Sequence, residues 1–251
     1  MLTLDWTFFA VAVPAVIFAG ISKGGFGSGA SFASATILAL IIEPGMALGI
    51  MLPLLLLIDL SALGPFWGKW GRREAVLLIA GGLPGVALGA LVYQLATPDL
   101  LRLLIGGVSL GFVFWRFALK RGWIRIATGT MPDWVGGLMG VSAGFTSFVS
   151  HAGGPLAAIY LLSRNLNKTE YQATTVVVFL IINIAKFVPY TFLGIFSAQT
   201  ILADLVLAPF AVLGAWIGVR AHFLVPERLF FGLTYQLLII TGCKLIWDGL
   251  T

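Results

Sequence analysis

The chain has 251 residues, of which 59% are hydrophobic and only 10% charged, with a mean hydropathy of +1.03. A soluble domain averages about a quarter charged residues, so lipid must solvate much of this surface, and no room remains for a soluble catalytic domain. The net charge of +5 would suggest nucleic acid in a soluble protein, but here the basic residues sit in loops, where they report topology; the single cysteine, Cys243, excludes an internal disulfide and a thiolate metal cluster.

A transmembrane helix takes roughly 20 apolar residues, so the chain has room for about ten membrane segments. The first apolar run, about 6–21, lacks a basic start and leads into Gly24–Gly29 rather than a cleavage site, so it is read as a membrane segment and not a cleaved signal. Runs follow at 30–42, 45–66, 75–95 and 100–118. The polar connector 119–132, with Lys120, Arg121 and Arg125, divides the chain into a first unit, 1–118, and a second, 133–251. The second unit continues with runs at 133–150, 155–163, 172–193, 200–220 and 229–247. None shows a polar stripe, as expected of buried or lipid-facing helices. The expected fold is an all-α polytopic membrane protein with about 8–10 membrane-embedded helices.

The two units repeat. Asp59-Leu60-Ser61-Ala62-Leu63-Gly64-Pro65-Phe66 aligns with Asn183-Ile184-Ala185-Lys186-Phe187-Val188-Pro189-Tyr190. Pro84 and Leu88-Gly89-Ala90 align with Pro209 and Leu213-Gly214-Ala215, and Pro98-Asp99 with Pro226-Glu227. Gly20, Ser22 and Gly24 align with Gly140, Ser142 and Gly144. Cytoplasmic loops are enriched in Lys and Arg, which puts loop 67–74 (Lys69, Arg72, Arg73) and the connector inside. In the second unit Arg164, Lys168, Arg220 and Arg228 put 163–171 and 220–228 inside, and the uncharged loop 194–199 outside. Loop 194–199 is the counterpart of 67–74, so the repeats are inverted, five helical segments each, with the N-terminus outside. Many secondary transporters are built this way.

The first two runs of each unit are interrupted by glycine, at Gly24-Gly25-Phe26-Gly27-Ser28-Gly29 and at His151-Ala152-Gly153-Gly154-Pro155. Two pictures fit: two tilted spans, or a hairpin whose broken tip reaches the membrane interior, with the hairpin favoured in the second unit. Short broken segments at matching places in two halves point to a binding site.

An ionisable group inside a membrane segment costs about 2.5–3.5 kcal/mol on insertion scales. Those away from segment ends are Lys23, Asp59, His151 and Lys186; around them lie Ser22, Ser28, Ser31, Ser147, Ser150 and Asn183. The N–H groups of Gly153 and Gly154, at a helix start, add neutral donors. Such a set suits a small oxyanion at the repeat interface near the bilayer midplane. Each residue also has a plainer reading. Lys23 snorkels or caps a break. Lys186 partners Asp59 from the equivalent helix. His151 is a satisfied buried histidine, the serines glue helices, and the glycines permit close packing. Asp59 is an ion-pair partner or a proton carrier. Arg116, Asp204 and Lys244 lie near segment ends and read as interfacial.

Two other classes compete with a transporter. Ser28 or Ser150 with His151 would form an intramembrane serine hydrolase dyad, but the Gly-x-Ser-Gly pattern is absent, Phe26 standing where its first glycine belongs. A second membrane histidine for a metal is absent too, so neither catalysis nor a cofactor is expected. An anion channel is the stronger rival, because inverted repeats and hairpin tips also occur in pores.

Gly144-Phe145-Thr146-Ser147-Phe148, His151-Ala152-Gly153-Gly154-Pro155, Tyr160-Leu161-Leu162 and Asn167-Lys168-Thr169-Glu170-Tyr171-Gln172-Ala173-Thr174, before Phe179, Asn183 and Lys186, resemble the second-repeat signature of the sulfite exporter TauE/SafE family. The first unit resembles it at Gly20–Gly29, Leu52-Pro53 through Asp59, and Pro84 through Gly89. Many members carry Gly-Gly-Gly and a proline in both repeats, whereas here the first reads Ser28-Gly29-Ala30-Ser31 with no proline until Pro44. The second repeat therefore carries the stronger site. The resemblance implies a bacterial inner-membrane permease, usually an exporter, for sulfite or C2 and C3 organosulfonates. Its expected partners are the small anion, the lipid bilayer and a proton or other coupling ion, with no nucleic acid; a homo-oligomer is compatible with it.

Overall fold

The computed structural model describes residues 4–26, 31–123, 131–222 and 227–251. Among the described residues there are ten helices, α1 (Trp6–Gly25), α2 (Phe32–Leu38), α3 (Pro44–Phe66), α4 (Arg72–Leu95), α5 (Pro98–Lys120), α6 (Asp133–Ser150), α7 (Gly154–Leu162), α8 (Lys168–Phe192), α9 (Ala198–Ala221) and α10 (Glu227–Leu250). Each apolar run carries one helix, and α1, α3, α4, α5, α8 and α9 are each long and apolar enough to cross a membrane. This is a polytopic membrane protein. Helix starts follow local chemistry. Pro44 and Pro98 stand in first turns, where a missing N–H costs nothing. Capping boxes at Asn167/Glu170 and Ser197/Thr200 open α8 and α9.

The two halves interleave. α1 packs along α9, α6 along α4, α5 along α10, and α3 along α8 in the centre. Glycine seams make the first two contacts possible, because lipid tails supply no hydrophobic drive and close backbone approach must replace it. A methyl group on Gly25 would sit 2.3 Å from the Gly218 carbonyl oxygen, and one on Gly144 would sit 2.1 Å from that of Gly82. Gly24 and Gly25 are thus packing residues; Gly27, Ser28 and Gly29 lie outside the described residues.

The bundle has a basic and an acidic end. At the basic end Arg164 of the α7–α8 turn bonds Glu74 at 3.0 Å and lies 3.6 Å from Asp133, which also pairs with Arg73. At the acidic end Asp5, Glu43, Arg102 and Asp248 line a cavity of about 620 Å³. Asp204, read from sequence as interfacial, is instead buried near the start of α9, and neither carboxylate oxygen has a hydrogen-bond partner among the described residues. Its helix packs on α1 and α3.

The break in each pair of first runs falls in the segment the sequence marked, after Gly25 in one and at His151 in the other. Each pair is one long helix followed by a short one. α1 and α6 rise about 30 and 27 Å, while α2 and α7 rise about 10 and 14 Å. α1 reaches the basic end, where His222, at the end of α9, donates to Gly25 O at 2.7 Å. α6 reaches the other way, and His151 bonds Leu48 O one turn into α3. The breaks therefore lie towards opposite ends of the bundle. α6 contains no proline to stop it earlier.

Candidate functional site

α3 and α8 run antiparallel through the centre and carry the buried Asp59 and Lys186. Asp59 of α3 is fully buried. Its Oδ2 accepts from Lys23 Nζ at 2.6 Å and from Asn183 Nδ2 at 2.9 Å, while Oδ1 has no partner among the described residues. The carboxylate thus pairs with Lys23 of α1 rather than with Lys186. Gln172, one turn into α8, donates from Nε2 to Lys23 O at 2.6 Å and holds that part of α1 against α8.

Lys186 lies one turn beyond Asn183 on the same face of α8. Its side chain has 0% exposure and, among the described residues, meets no carboxylate oxygen. Its Nζ lies 2.9 Å from Ser147 O, 3.1 Å from Ser147 Oγ and 2.8 Å from His151 Nδ1. The other imidazole nitrogen, Nε2, lies 3.1 Å from Leu48 O. A carbonyl only accepts, so Nε2 carries a hydrogen, and Nδ1 faces the amine.

Local backbone geometry aims the imidazole. His151 caps α6 in the left-handed conformation, φ 56°, with its N–H on Ser147 O and that of Ala152 on Thr146 O. Glycine is the usual residue there, and an L side chain costs about 1–2 kcal/mol in that conformation. The same turn that ends α6 swings the ring towards α8 and α3. Tyr190, four residues after Lys186, donates to Phe148 O at 2.6 Å, and its ring centre lies 5.9 Å from Lys186 Nζ.

Lys186, His151 and Ser147 therefore meet directly, and Asn183, Asp59 and Lys23 form an adjoining group. Ser150 turns back to Thr146 O within its helix. Gly153 packs tightly, a methyl there falling 2.5 Å from Ala143 O and 3.0 Å from Ser147 Cβ. Gly154 opens α7, where first-turn N–H groups have no intrahelical partner. Ser22 is buried on α1, and Ser28 lies outside the described residues. Neither the acidic-end cavity nor a crevice of about 470 Å³ between α4 and α8 is lined by the two lysines, His151 or Asp59. Gln172 and Tyr190 were not picked out from sequence. Tyr190 had a signal, its i+4 spacing from Lys186; Gln172 had only its polarity near a helix start.

A bundle of membrane helices with two lysines and one carboxylate buried at its centre has the make-up of a membrane transport protein. The chain belongs to the sulfite exporter TauE/SafE family, whose family model matches residues 12–245. No curated protein and no solved structure matches it. Membership makes it a membrane transporter of the sulfur-anion exporter type.

Proposed function

We propose that this protein is a secondary transporter that exports a small sulfur-containing anion, sulfite or a C2 or C3 organosulfonate, across a bacterial inner membrane. The observation that carries this reading is Lys186, a basic side chain fully removed from solvent with only neutral acceptors around it among the described residues. Lys23 and Asp59 balance each other, so with Lys186 protonated the cluster lacks one negative charge. A bound monoanion supplies it. The anion is held by Lys186, His151, Asn183, Ser147 and the Gly153–Gly154 N–H groups, with Lys23 completing the cage from the other half. Its test is binding to purified protein across sulfite, sulfate, sulfoacetate, acetate and chloride. Sulfur oxyanions are expected to bind ahead of acetate and chloride; equal affinity for all five, or chloride ahead, rejects the reading.

In this reading residues 1–118 and 133–251 are inverted repeats, the basic end is cytoplasmic and the N-terminus is outside. The exchange of partners between halves, α1 with α9 and α6 with α4, supports the inversion. The turns at 122 and 194 are glycines with φ of 74° and 67°, where cysteine would be strained, so the labelling positions are the exposed neighbours Trp123 and Ala198. In a Cys243→Ser background, Trp123→Cys is expected to react only from the cytoplasm and Ala198→Cys only from outside. Labelling of both from one side rejects the arrangement.

A further inference from the structure

We infer that the Lys186–His151 pair is a proton-binding site, and that anion and proton enter this protein together, one for one. The inference rests on the anion reading above and adds to it which group carries the coupled proton. The argument is geometric. Around Lys186 Nζ, Ser147 O can only accept, and Nδ1 of His151 is the one imidazole nitrogen not committed to Leu48 O. Ser147 Oγ, at 3.1 Å, is a hydroxyl that either donates or accepts. With the extra proton present, the ammonium donates to Ser147 O, to Nδ1 and to Oγ. With it absent, the amine donates to Ser147 O and Nδ1, and the hydroxyl turns to donate into the amine lone pair. Every hydrogen bond survives in both states, and no heavy atom moves.

The charge balance gives the sign. Around the amine, α3 contributes Asp59 and α1 contributes Lys23, already tied to each other at 2.6 Å. α8 itself adds Tyr190, whose hydroxyl is engaged by Phe148 O. Among the described residues, α4, α6 and α7 bring no further charged side chain to bear on it. An empty site without the extra proton is neutral, and so is a site holding a monoanion and the proton. The two intermediate states each bury a net charge in the membrane, which is costly. The proton comes from water and comes to rest on Nζ, in the hydrogen bond that turns from Ser147 Oγ donating to Ser147 Oγ accepting. No covalent bond forms or breaks beyond that transfer.

The experiment is calorimetric titration of the purified protein with ethanesulfonate and with sulfate, neither of which changes its own charge near neutral pH, in buffers of different ionisation enthalpy at about pH 7.5. The expected result is one proton taken up per ethanesulfonate bound, and an affinity that falls tenfold for each unit of rising pH. Tight binding with no proton uptake overturns the inference and leaves the anion reading standing. Binding of neither anion removes both. The assignment to this pair is tested by Lys186→Arg, since guanidinium does not deprotonate in proteins. Whatever its affinity, that variant is expected to take up no proton per anion. Asp59→Asn is expected still to take up one. Uptake retained in the arginine variant, or lost in Asp59→Asn, places the proton on another group and overturns the assignment.

Discussion

Lys186→Ala is expected to weaken binding of the cognate anion by a factor on the order of tens to thousands, corresponding to about 2–5 kcal/mol for a lost charged partner in a desolvated site. Lys23 does not substitute for it, because its charge is spent on Asp59 at 2.6 Å. The truncation also strips the donor from Ser147 O and from His151 Nδ1, so some folding stability goes with it, about 1–3 kcal/mol for each buried group left unpaired. Binding is therefore measured on protein first shown to be folded and monodisperse in detergent. His151→Ala is expected to do less, since the imidazole reaches the site through the amine. A folded Lys186→Ala protein that binds the anion as the parent does removes this residue from the site.

The elements were readable because membrane helices announce themselves by hydropathy. Every apolar run became a helix, and the proline starts at Pro44 and Pro98 and the Asn167 box set boundaries that sequence alone can see. How the seams pair was harder to see: the glycines inside α6 serve a close approach to α4, while its break falls at His151 as the sequence marked it. The partner of Asp59 was harder still. Equivalence of α3 and α8 suggested Lys186, but a contact between helices depends on their tilt and rotation, and these bring Lys23 to the carboxylate. Asp204 failed for the same reason: nearness to a helix start says nothing about which neighbour covers it. The group around Lys186 was more accessible, because Asn183, Lys186 and Tyr190 share one face of one helix and only His151 and Ser147 had to be brought to it.

Separating the Lys23–Asp59 pair is expected to damage folding before it damages anion binding. Asp59→Ala leaves Lys23 buried without a counter-charge, a change that typically costs about 3–5 kcal/mol. Lys23→Met combined with Asp59→Leu, similar in volume and without charge, is expected to recover most of that loss, because a buried ion pair contributes little beyond what packed apolar groups supply. Asp59→Asn separates the remaining roles. The amide keeps the shape of the side chain and its contact with Asn183, but it removes a negative charge from beside an anion site. Affinity for the anion should therefore hold or rise. Driven transport in proteoliposomes should fall, because the carboxylate that locks Lys23, and through it the end of α1 fastened to Gln172, no longer differs in charge from its surroundings. Denaturant titration of the three variants and paired binding and uptake assays measure these effects. An Asp59→Ala protein as stable as the parent shows that the pair is not holding the bundle. An Asp59→Asn protein with normal driven transport removes this carboxylate from the transport cycle.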